Sequence, residues 1–395
     1  MSKAGNRILA LVASSLVGLV LAAFIWKLRP ASDTVELLDN SEAIARLLRE
    51  RQTQDGSAPA LRDELLRETL SEERAMALCG ELRKSKGRTI YDRQTISWER
   101  PNYDSRRRFK EHPRGSWQVE LNDMGFRKAV DVRRTKPDLR ILVAGDSHTA
   151  GIVPSEEQFA NLLESKLAVL APELTIEGLN GGKGGFHFYN YVGTLEKFLH
   201  LEPDVFVMTV FGGNDFAGSV STFRYFNRMA PSSAPPKAER QLLQELGEKA
   251  SGLVAQDLNQ LVLFRWQPES AKIAATAARQ ALTTIDGICR EQGIEFLVVY
   301  IPPCSDVQPE HIKKRIDNAV RLFDLTPDEL AITSRLADGF LAFAEASEIR
   351  CIDMRPIFET SEEPCYWLSD LHINTLGHRL IADELQKALR PRLER

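Results

Sequence analysis

The chain has 395 residues, 43% of them hydrophobic and 27% charged, with a formal net charge of −4. That length holds one large domain or two ordinary ones around a substantial core. The slight acidity offers no general attraction to nucleic acid or anionic lipid, and short basic runs such as Arg106-Arg107-Arg108 sit among acidic residues without a nucleic-acid-binding signature.

Taken in chain order, the first element is residues 8–26, ILALVASSLVGLVLAAFIW, a charge-free run preceded by Lys3 and Arg7. As a helix it would be about 28 Å long, close to the ~30 Å hydrocarbon core of a bilayer. It ends in Trp26-Lys27-Leu28-Arg29-Pro30 without a small-x-small cleavage site, which separates it from a secretory leader. Residues 1–29 therefore read as an uncleaved anchor, and the expected location is a single-pass protein with its bulk outside the cytoplasm. Residues 30–114 read as a helical stalk and linker. Two charge-rich helical stretches lie within 31–88, separated by Gly56-Ser57-Ala58-Pro59, and 89–120 shows no periodicity.

From about 138 the pattern alternates between short apolar strands and helices. Strands are expected at 140–144, 174–179, 204–210, 294–301 and 350–354. Helices are expected near 157–170, 187–200, 270–292, 327–347 and 375–389. Such alternation implies a mostly parallel sheet covered on both faces. The segment 216–269, with Pro231 to Pro236 and two polar helical stretches, reads as an insertion above one sheet edge. The five cysteines show no zinc-ligand spacing. Cys351 with Cys365 is a candidate pair in an oxidising compartment, and apolar packing is the alternative for most of them.

Four strand-end or pre-helix blocks carry candidate chemistry. Gly145-Asp146-Ser147-His148 follows the first strand, Asn180-Gly181-Gly182-Lys183-Gly184-Gly185 the second, and Phe211-Gly212-Gly213-Asn214-Asp215 the third. Ser369-Asp370-Leu371-His372 precedes the last helix. A serine, donors for a developing oxyanion and an Asp–His pair make up an acyl-transfer set. Asp146 reads first as a helix-start residue and Asp215 as an orienter of the Asn214 loop. His187 either lines the pocket or packs, His378 packs, and Lys183 reads as a solvated loop lysine or a partner for a carboxylate-bearing substrate.

These blocks, in this order, resemble the GDSL-type hydrolases of the SGNH superfamily, over roughly residues 115–390. The leader Asn122-Asp123-Met124-Gly125-Phe126-Arg127 is similar to one in bacterial, membrane-anchored extracytoplasmic members. The resemblance implies a flavodoxin-like three-layer α/β/α sandwich over residues 115–395. It implies Ser147 as nucleophile, His372 as base and Asp370 as its carboxylate. The oxyanion hole would combine the N–H groups of Ser147 and Gly185 with the Asn214 amide, with no metal and no organic cofactor. Two features depart from the commonest pattern: the carboxylate stands two residues before the histidine rather than three, and His148 follows the nucleophile, a form resembling domains of O-acyl transfer to surface polysaccharides. The expected activity is hydrolysis of a short-chain carboxylic ester, with an envelope glycan among the candidate substrates. The alternatives are an O-acyltransferase on such a polysaccharide and a non-catalytic binding or assembly protein of the same fold.

Overall fold

The computed structural model describes residues 87–227, 229–230 and 235–393. The expected anchor at 8–26 and stalk helices at 31–86 lie outside the described residues. Among the described residues no helix is long and apolar enough to cross a membrane.

Five parallel strands form the central sheet: β5 (Leu139–Ala144), β6 (Ile176–Asn180), β7 (Val205–Phe211), β8 (Glu295–Ile301) and β9 (Arg350–Asp353), in the order β6-β5-β7-β8-β9. Counted within the sheet this is 2-1-3-4-5, the flavodoxin-like doubly wound order. β5 shows why the layers form. Its side chains are all buried, and alternate ones face opposite cores: Leu142 and Ala144 one way, Ile141 and Val143 the other. The first face is covered by helices α3 (Phe188–Phe198), α4 (Asp215–Phe226), α7 (Pro268–Gln292) and α9 (Ile332–Ala346). The second carries α2 (Phe159–Leu170), α8 (Lys313–Phe323) and α10 (Thr375–Leu393).

Two regions depart from the sequence expectation. Part of the expected linker folds into two antiparallel hairpins, β1 (Thr89–Asp92) with β2 (Ile96–Glu99) and β3 (Asp104–Arg108) with β4 (Ser116–Glu120). Trp98 of the first enters the core against Phe126 and Phe198, and its indole N–H donates to the Met124 carbonyl at 2.8 Å. These hairpins pack on the sheet domain. They lacked a legible pattern because each strand is only four or five residues long.

The insertion is helical, as its polar stretches imply. After α4 it comprises α5 (Lys237–Leu253), a wide π-helical turn (Val254–Leu258) and α6 (Asn259–Trp266). The α8 helix, KKRIDNAVRLF, was not anticipated; its charges hide a thin apolar face. Cys289, Cys304, Cys351 and Cys365 are free thiols, so Cys351 and Cys365 do not pair. Burial pushes the Cys304 and Cys351 thiols up to about 12, in line with the apolar-packing alternative.

Candidate active site

The strand-end serine that the sequence singles out is set apart by exposure. From Ile141 to Thr149 every residue is buried except Ser147, which opens the four-residue helix α1 (Ser147–Ala150) at the carboxyl end of β5. Asp146 caps that helix, its Oδ1 accepting the His148 N–H at 2.8 Å. Its Oδ2 accepts the Ser147 hydroxyl at 3.2 Å. Burial raises the Asp146 carboxyl to about 6, against hydrogen bonding and the nearby His372, which lower it. The leader supports the same turn from below: Arg127 is buried and donates to the carbonyls of Ala150, Gly151 and Val153.

The glycine cluster after β6 is stitched to β5. Gly181 N–H donates to Val143 O at 2.8 Å and Lys183 N–H to Gly145 O at 3.1 Å. Gly185 has φ 79°, a backbone conformation that side-chain-bearing residues rarely adopt, so the turn requires glycine. Lys183 is 4% exposed, so the solvated-lysine expectation fails. Its ammonium sits 3.4 Å from the Gly184 carbonyl and 5.1 Å above the Phe186 ring.

Asn214 stands at the N-cap of α4, yet its side chain makes no capping bond. It turns toward the insertion, donating to Ala255 O at 3.4 Å and Gln256 Oε1 at 3.3 Å. A Cβ on Gly213 would lie 1.8 Å from the Gln256 carbonyl oxygen, so glycine there is what lets the insertion come this close. Beneath, Asp215 Oδ2 accepts the Tyr191 hydroxyl at 2.6 Å and the Phe211 N–H at 2.8 Å, fixing the loop as expected. Burial and the neighbouring Asp146 hold the Asp215 carboxyl well above the usual range.

The Asp–His pair comes from the loop before α10. His372 Nδ1 is 3.4 Å from Asp370 Oδ2, and the His372 N–H donates to Asp370 Oδ1 at 3.1 Å. Leu371 between them has φ 59°, which costs a side-chain-bearing residue about 1–2 kcal/mol. Its N–H bond to Trp367 O at 3.0 Å and its buried side chain hold it there. Among the described residues no hydrogen bond joins Ser147 to His372; the serine hydroxyl rests on Asp146.

Two contributors, Glu111 and Gln256, were not found from the sequence, and His148 was noted there only for its place after the serine. Glu111, in the turn after β3, accepts the Leu368 and Ser369 N–H groups at 2.6 and 2.8 Å, while Phe109 packs on Trp367. Gln256 lies between Asn214 and His372. His148 is buried and lies between the rings of Phe211 and His372, with centroids 3.6 and 4.7 Å away; its burial and the neighbouring His372 hold it neutral. Only His148 carried a signal, its place beside the serine. His187 packs rather than lining the site: buried at the start of α3, it is pushed down to about 3. His378 packs as expected, accepting the Phe159 N–H at 3.3 Å.

No family model matches the sequence, and no curated protein matches it. Solved structures similar in part include LAE5, an alpha/beta hydrolase enzyme from the metagenome of Lake Arreo, with TM-score 0.39 and 14% identity over 64% of this chain and 96% of that one. Another is the acetyl xylan esterase AlAXEase, with TM-score 0.38 and 15% identity over 64% of this chain and 100% of that one. A third is the lipase/acylhydrolase from Enterococcus faecalis, with TM-score 0.38 and 15% identity over 64% and 96%. Similarities at this level carry no functional argument, which falls to the residues themselves.

Proposed function

We propose that the chain is a serine-dependent hydrolase of the SGNH type, cleaving a carboxylic ester through an acyl-enzyme on Ser147. The observation that carries this is convergence. An accessible serine, a positive-φ glycine loop and an uncapping asparagine gather at the carboxyl ends of β5, β6 and β7, beside an Asp–His pair. Parallel doubly wound sheets bind their ligands at this position.

In this reading His372 takes the Ser147 proton as the hydroxyl attacks the ester carbonyl, and the C–O bond forms. The carbonyl electrons move onto oxygen, where the N–H groups of Ser147 and Gly185 and the Asn214 amide stabilise them. Asp370 orients the imidazole and stabilises its cation. Collapse expels the alcohol with the proton from His372. Water then attacks the acyl-enzyme by the same steps and regenerates Ser147. A sugar hydroxyl in place of water gives the transferase alternative, which His148 after the nucleophile favours by resemblance. A short acyl ester on an envelope glycan is the proposed substrate class. The charge-free run 8–26 with its flanking cations supports tethering to the bacterial cytoplasmic membrane, the site facing outward.

The test is fluorophosphonate labelling of the full chain beside Ser147→Ala, followed by acetylated glycans as substrates. Labelling that disappears in the variant supports the reading. A folded wild-type protein inert to the probe and to every ester offered would favour the binding-protein alternative.

A further inference from the structure

Gln256 belongs to the π-helical turn of the insertion, is 7% exposed, and touches three side chains of the site. Its Oε1 lies 3.1 Å from His148 Nε2 and 3.3 Å from Asn214 Nδ2. Its Nε2 lies 3.3 Å from His372 Nε2 and 3.4 Å from His372 Nδ1. The orientation of the carboxamide follows from its donors. His148 Nδ1 accepts the Ile373 N–H, so in the neutral ring Nε2 carries the proton. Asn214 Nδ2 also faces the Ala255 carbonyl, so it is the amide nitrogen. Two donors meet at one Gln256 atom, which must be oxygen, and its NH2 group therefore faces His372.

Near-equal distances to both ring nitrogens put that NH2 group off the plane of the His372 ring, along neither lone pair. The imidazole lone pair stays available for the serine proton, with the Gln256 NH2 group and the His148 ring both lying against the His372 ring. One helical turn further on, Gln260 grips the same loop, donating to Gly212 O at 2.7 Å and accepting the Ala217 N–H at 3.1 Å. Gly252 packs on the Asp370 backbone, where a Cβ would lie 2.7 Å from the Asp370 Cα. Wide helical turns of this kind recur at functional sites, where they re-aim a side chain.

We propose that Gln256 is a positioning residue for the ester chemistry: a carboxamide, oriented by His148, that holds the oxyanion donor Asn214 and the base His372 in one arrangement. The proposal rests on the hydrolase reading above. It makes the insertion part of the site's machinery, where a cover over the sheet edge would touch none of these groups.

The experiment compares the full wild-type chain with Gln256→Met, which keeps the shape without the hydrogen bonds, and Gln256→Glu, which replaces the NH2 group by an acceptor. Ser147→Ala serves as control, and circular dichroism checks folding. For Gln256→Met, kcat is expected to fall roughly ten- to a hundredfold with little change in KM, the scale of a small misplacement of reacting groups. For Gln256→Glu the acid limb of the rate profile moves to higher pH, because a carboxylate on the ring favours the imidazolium. A merely structural glutamine would leave kcat and KM of folded Gln256→Met at wild-type values. Wild-type rates in folded Gln256→Met, or an unshifted profile in Gln256→Glu, overturn the proposal. A rise in rate would overturn it too, showing a blocking contact. If labelling survives Ser147→Ala, or the wild type is inert, the hydrolase reading fails on its own. Nitrogen NMR of the His372 ring then decides the contact separately: a signal unchanged in Gln256→Met overturns it.

Discussion

The two halves of the candidate site are held by different means. Ser147, Gly185 and Asn214 leave the ends of β5, β6 and β7, and their loops are fixed by main-chain bonds between neighbouring strand ends, such as Lys183 N–H to Gly145 O. Asp370 and His372 leave no sheet strand. Their loop is held from outside, by the Glu111 turn of the second hairpin on one side and by Gly252 and Gln256 of the insertion on the other. In the proposed hydrolase the sheet supplies the nucleophile and the oxyanion donors, whereas peripheral elements supply the aim of the base. The loops of the first half are tied mainly to neighbouring strand ends, and the loop of the second mainly to peripheral elements.

Four substitutions sharpen or break this contrast. The largest effect is expected at Ser147: Ser147→Ala should lower ester turnover by about 10⁴-fold or more, the scale seen when a triad serine is removed, and abolish phosphonate labelling. Retained turnover would move the nucleophile elsewhere. Asn214→Ala comes next, with kcat reduced roughly a hundred- to thousandfold and KM nearly unchanged, as for loss of one oxyanion donor. Steady-state kinetics with unaltered kcat would remove Asn214 from the mechanism.

Asp146 tests the sheet-borne half through stability. Its carboxyl is raised from 3.8 to about 6 by burial. At pH below 3.8 it is protonated in both the folded and the unfolded chain. Between 3.8 and about 6 the folded protein keeps a proton the unfolded chain has lost, so stability falls as pH rises. Above that window the full cost, about 2–3 kcal/mol, is present. Asp146→Asn keeps the helix cap and should remove this slope. Denaturant melts of both proteins across the window read the difference, and parallel curves would refute the burial argument.

The smallest effect is expected from the aim of the base. Glu111→Ala frees the Leu368 and Ser369 N–H groups at an exposed position, so the melting temperature should barely move. kcat should nevertheless fall roughly three- to tenfold through a looser Asp370–His372 loop. Equal activity in the variant would mean that the hairpin does not steer the base.

Much of the sheet-borne half was legible in the chain. Apolar runs at 140–144, 204–210 and 294–301 match β5, β7 and β8 to within one residue, because period and composition act over short stretches. The glycines before Asn214 and around Lys183 marked loops that must approach other atoms closely. The hairpins, α8 and the free state of Cys351 and Cys365 were not legible. Their strands are short, their charges mask the apolar face, and spacing along a chain does not fix distance in space.

By itself the sequence determined the alternation that builds a parallel α/β sheet, the strand ends that present Ser147, Gly185 and Asn214, and the nearness of Asp370 to His372. Each is a local property, decided by a few consecutive side chains. Only the tertiary structure decided that Glu111 holds the loop at Leu368, 257 positions away, and that Gln256 reaches His372 across 116 positions. Such contacts form only after the core has fixed both partners, since closing loops of that length costs entropy that no local motif repays.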